Sequence, residues 1–75
     1  MSIVSMGLIR LRIREFADER GWTLKEVAER SGLNYSTVKN YVQRDAMTMT
    51  DYTAILKLAR AFGVSIEELV EVLEE

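Results

Sequence analysis

Residues 31–42 read SGLNYSTVKNYV, and the part after Asn34 carries Tyr35, Ser36, Lys39 and Asn40. In a helix, positions three and four apart lie side by side, so these four share one face. A phenol, a hydroxyl, an ammonium and a carboxamide supply donors and acceptors for gripping another molecule. They do not supply a reaction. No nucleophile has a base nearby, and the chain contains no histidine and no cysteine. That removes imidazole bases, thiolate nucleophiles, disulfides and the usual zinc ligands together. No acidic loop is spaced for magnesium, and nothing calls for a cofactor. The carboxylates stand at helix starts or on solvated faces, so an enzyme is not expected.

A face of this kind needs a rigid support. With 75 residues the chain is long enough for one small domain, of the size that buries only about 60% of its unfolded surface. Glycines 21, 32 and 63 read as helix stops. Start signals follow them. Thr23-Leu24-Lys25-Glu26 has the form of a capping box, and Ser65-Ile66-Glu67-Glu68 repeats it. Asn34 is placed to cap the helix after Gly32, and Thr50 or Asp51 a further one. These marks predict helices over 9–20, 24–31, 35–43, 51–62 and 66–74. Their apolar positions recur at the helical period: Ile9, Ile13, Phe16 and Ala17; Val27 and Ala28; Val38 and Tyr41; Ile55, Leu58, Ala59 and Phe62; Ile66, Leu69, Val70 and Leu73. All are expected in the core. Trp22 is expected to staple its turn against the second helix.

The N-terminus has two readings. Leu8-Ile9-Arg10-Leu11-Arg12-Ile13 alternates apolar and basic residues, as a strand does. As a helix it leaves Leu8 and Leu11 off the core face. A short strand or an exposed apolar edge, with Ile3, Val4 and Met6 upstream, both point to a second subunit; a frayed end is the plainer reading. Leu8, Leu11 and Val72 are the expected dimer contacts.

Residues 24–43 have the spacing of a helix-turn-helix, two helices joined by a short turn. Ala28 lets the second helix cross closely, Gly32 permits the left-handed turn, Leu33 covers it, and Val38 anchors the second helix. Here the chain resembles the Xre family, the Cro and phage-repressor type of domain. The marks are REFADERGWTLKEVAERSGLNYSTV and the later ILKLARAFGVSIEELV. The resemblance covers about residues 9 to 73 and implies an all-α, compact five-helix, lambda-repressor-like bundle. Residues 1–8 would be an extension with a dimer contact, and 9–75 the DNA-binding domain.

The resemblance also implies a use for the polar face. The family's third helix lies in the DNA major groove, with its N-terminal residues on base edges. By position, Tyr35, Ser36 and Asn40 match the base-reading places, with Thr37 and Lys39 beside them. Asn grips adenine bidentately, Ser donates or accepts, and Lys favours guanine. Tyr35 would meet a thymine methyl or a phosphate. Gln43 and Arg44 would hold phosphates, and the amides near Thr23, Leu24 and Lys25 form a helix N-terminus suited to another. Asn34 completes the expected DNA-contacting set. Arg10, Arg12 and Arg14 are read mainly as solvated or near the subunit edge, with backbone contacts as the lesser reading. Where the family often has a phosphate-bracing Gln this chain has Leu24, and where it often has Glu-x-Gly after the third helix this chain has Val42-Gln43-Arg44.

Charge is uneven. Residues 1–44 carry 8 basic and 5 acidic side chains, and residues 45–75 carry 2 and 7. A positive half and a negative half suit a homodimer that turns its acidic part away from double-stranded DNA; acidic residues that simply decorate a solvated C-terminal helix are the plainer reading. No apolar run approaches the ~18 residues needed to span a bilayer, and Met1 to Ser5 is too short and uncharged for a secretory signal. A cytoplasmic regulator, repressor-like in plan, is the expectation. A protein-binding module or antitoxin-type partner that keeps the fold without operator binding is the alternative, favoured by the acidic half and by Leu24.

Overall fold

The computed structural model describes residues 8–44 and 52–74, and for residues 8 and 74 the backbone alone. The elements run β1 (Leu8–Leu11), α1 (Ile13–Arg20), α2 (Leu24–Ser31), α3 (Tyr35–Gln43), α4 (Tyr52–Phe62), α5 (Ile66–Leu69) and β2 (Val70–Glu74). The loop from Arg44 to Met49, apart from Arg44 itself, the Thr50 or Asp51 cap, and the apolar residues Ile3, Val4 and Met6 lie outside the described residues.

The helix stops and starts follow local chemistry. Gly21, Gly32 and Gly63 all take positive φ. Thr23 Oγ1 accepts from the Glu26 amide at 3.2 Å. Glu26 does not reach back to complete the box; its carboxylate accepts instead from Arg30, at 2.8 and 3.0 Å. Ser65 and Glu68 do form the full reciprocal pair. Asn34 makes no side-chain cap bond, contrary to expectation. Its extended φ and ψ still let its carbonyl accept the first turn's amides, from Thr37 and Val38.

The all-α expectation is corrected at both ends. The first helix begins at Ile13 rather than residue 9, and the fifth ends at Leu69 rather than residue 74. β1 and β2 pair antiparallel, Ile9 opposite Val72, Arg10 opposite Glu71 and Leu11 opposite Val70. Alternation explains the outcome: Ile9, Leu11 and Val70 turn inward and are buried, while Arg10 pairs outward with Glu71. Opposite charges on facing strand positions support the register. Arg12 then ties the sheet to α5, its amide donating to the Leu69 carbonyl at 2.9 Å.

Between sheet and helices lies one apolar core of Ile13, Val27, Val38, Ile55, Leu58 and Leu69, all essentially inaccessible. One edge is aromatic. Phe62 packs on Phe16 and on Trp22 with ring centroids 5.6 Å away in each case. Arg20 lies over this group and donates to the Phe62 carbonyl at 2.7 Å. Trp22 also carries the Arg30 guanidinium 4.3 Å above its ring. The tryptophan therefore fastens its turn to α2, as expected, and to α4 as well.

Candidate nucleic-acid interface

α2 and α3 are held at a fixed crossing by three devices. Gly32 turns the chain with φ near 78°, and its amide returns to the Ala28 carbonyl at 2.9 Å. Leu33 follows with a second bond to the same carbonyl at 3.1 Å. Val38, fully buried, drives α3 against the core. With Val38 inward and Tyr41 and Val42 half-buried, the opposite face of α3 is left to solvent. That face holds Tyr35, Ser36, Lys39, Asn40 and Gln43, all exposed, with Thr37 half-buried at its margin. Tyr35 keeps 49% of its surface accessible although it is large and aromatic. A rigid helix that displays a phenol and four further hydrogen-bonding heads is prepared for contact without side-chain burial in the free domain.

The sequence-expected residues fall into two groups at the two ends of α3. At its N-terminal end, Tyr35 meets Thr23, Leu24 and Lys25 around an open cleft of about 480 Å³. The N-terminus of α2 opens here, and Thr23 and Lys25 are exposed. Leu24 packs partly on the core, so the cleft wall is apolar where a glutamine would have been polar. At the C-terminal end, Arg44 Nε lies 3.5 Å from Asn40 Oδ1. Asn34 is exposed at the start of the helix, uncommitted to its expected cap.

Two features escaped the sequence. One is the Leu24–Tyr35 cleft, which needs the crossing of two helices to exist. The other is that Arg44 shares a pocket with Arg10, Arg12 and Arg14; the repeated arginines were visible, but not that α3 ends beside them. The dimer expectation also needs amending. Leu11 is buried, with 6% of its surface accessible, because strand pairing turns it toward the core. It cannot serve as a subunit contact. Val72, at 54%, remains open, and so does Leu73. The Leu8 side chain lies outside the described residues.

A tight two-helix unit with its second helix presented outward, braced by three more helices and a small sheet, defines a helix-turn-helix domain. Comparison with known families places it further. The model of the Cro/C1-type helix-turn-helix DNA-binding domain matches residues 12–75, and the chain belongs to that family. No curated protein and no solved structure matches it. Among the described residues no helix is long and apolar enough to cross a membrane.

Proposed function

We propose that this protein is a sequence-specific DNA-binding transcriptional regulator of repressor type, acting in the cytoplasm as a homodimer and not as an enzyme. Residues 1–8 serve as an extension and 9–75 as the reading domain. The observation that carries the proposal is the outward face of α3: Tyr35, Ser36, Lys39 and Asn40 stand exposed on a helix whose other side is locked by Val38. Inserted in the major groove, Asn40 grips an adenine edge, Ser36 bonds a neighbouring base, and Lys39 reaches a guanine. Tyr35 and Leu24 form an apolar wall that receives a thymine methyl, the one apolar group a major groove offers. Thr23 and Lys25 hold a phosphate at the N-terminus of α2, while Gln43 and Arg44 hold one at the far end of α3. Asn34 and Thr37 line the approach.

A two-fold dimer places its recognition helices in half-sites about 34–36 Å apart. Selection from random double-stranded DNA tests the reading: a pseudo-palindromic motif with that spacing is expected. Failure to enrich any motif would refute it. The second reading is a protein-binding module of antitoxin type, with the acidic segment after residue 44 in its favour. It predicts no enriched motif and a protein partner held by the same α3 face.

A further inference from the structure

The acidic balance of this chain conceals a cluster of four arginines. Arg10, Arg12, Arg14 and Arg44 line one pocket of about 290 Å³ at the corner where β1 passes into α1 and α3 ends. The sequence separates Arg44 from the others by thirty residues or more; the fold brings them together. Their charges are unevenly committed. Arg10 is paired across the sheet with Glu71. Among the described residues Arg12 has only a loose ion-pair partner, Glu15, at 3.9 Å, and its Nε is buried with no hydrogen-bond partner there. Arg14 is exposed and forms no ion pair among the described residues. The Arg44 side chain makes one long contact among the described residues, to Asn40. Asp18 and Glu15 also line the pocket, yet Asp18, one helical turn beyond Arg14, does not pair with it.

We infer that Arg12, Arg14 and Arg44 form a clamp for a phosphate of the DNA backbone, beside the bases that α3 reads. This rests on the DNA-reading role of α3. Asn40 and Arg44 are one turn apart, about 6 Å along the axis. A helix lying in a groove about 12 Å wide therefore carries its end from base edges to the phosphate wall within that turn. The Arg44–Asn40 contact makes the arginine corner continuous with the reading face. Guanidinium groups suit the role because their fork matches phosphate oxygens. Glu15 and Asp18 in the same pocket lower its positive potential and so limit non-specific grip.

The test measures DNA affinity of the full chain against salt concentration, using the motif obtained by selection. Arg14→Gln replaces an exposed side chain, and its thermal melt confirms an intact fold. The clamp predicts that the slope of log affinity on log salt becomes shallower by about 0.9, the loss of one phosphate contact, with binding about eightfold weaker near 0.1 M salt. The preferred motif stays the same. Asp18→Asn moves affinity the other way, tightening binding to every sequence. An unchanged slope in Arg14→Gln, with motif binding intact, overturns the clamp and leaves the α3 reading standing. So does thermal stabilisation of wild type by inorganic phosphate that Arg14→Gln loses while its DNA slope is unaltered, which would make the corner a free-anion site. Wild type without any motif or salt dependence overturns both.

Discussion

Gly32→Ala is the perturbation whose cost the structure fixes most closely. Gly32 sits between α2 and α3 with φ near 78° and ψ near 16°. A β-carbon built there meets nothing within 4 Å. Sterically the site has room, so the penalty comes from the backbone alone. An L-residue in the left-handed region costs roughly 1–2 kcal/mol. Against this, alanine restricts the unfolded chain more than glycine, which returns about 0.4–1 kcal/mol. The net is a destabilisation of about 1 kcal/mol, or a melting point lower by about 4–8 °C in a domain of this size. Gly32→Asn should cost less, because asparagine visits this region more readily. Circular-dichroism melts and urea titrations of the three proteins measure it. Since the β-carbon that either substitution adds meets no neighbour, the helix crossing should be kept, and the selected DNA motif should be bound with unchanged preference. A loss above about 3 kcal/mol would show a hidden clash and refute the reasoning. So would equal stability of all three proteins, which would mean that the turn is not held in this conformation.

Other outcomes follow from the same structure. Phe62→Leu removes two ring contacts, with Phe16 and Trp22, and should cost about 1–2 kcal/mol; the emission of Trp22, the only tryptophan, should shift in the native state as its stacking partner goes. Arg10→Ala and Glu71→Ala, in a double-mutant cycle by urea unfolding, should show a coupling below about 1 kcal/mol, because both side chains are substantially exposed. Val72→Lys should leave the melting point of the isolated fold near wild type but abolish the dimer in sedimentation at micromolar concentration; a dimer that survives would move the interface elsewhere. Replacing each thymine of the selected site by uracil removes one methyl, and at one position per half-site wild type should lose about fourfold in affinity while Leu24→Gln loses none.

The helical part of this fold was legible because its signals are local. Thr23, Ser65 and the positive-φ glycines each act within a single turn, and α2 and α3 have the bounds that their caps imply. The sheet was half legible. The alternation at residues 8–13 spoke for a strand, but its partner lies about sixty residues away, and strand pairing at that distance leaves no local mark. Ile66, Leu69, Val70 and Leu73 satisfy the helical period as well as Val70-Glu71-Val72 satisfies alternation. Tertiary pairing with β1 decided between them, helped by two β-branched residues. The fate of Leu11 followed: off-face in a helix, it is inward in a strand. At the interface, the sequence identified the exposed heads of α3, since a buried Val38 dictates which face is outward. It did not show the Leu24–Tyr35 cleft or the arginine corner, because both are made by residues that meet only when separate elements cross.

The most direct test of the central claim is a fluorescence-anisotropy titration of the selected DNA site against a scrambled duplex. It compares wild type with Ser36→Ala/Asn40→Ala at several salt concentrations. If α3 reads bases, the double variant keeps its fold and its salt dependence but loses about 1–3 kcal/mol of preference for each base pair no longer read, so the two duplexes bind nearly alike. If the variant discriminates between the duplexes as well as wild type does, the exposed face of α3 is not the reading surface, and the account of this protein's function is wrong.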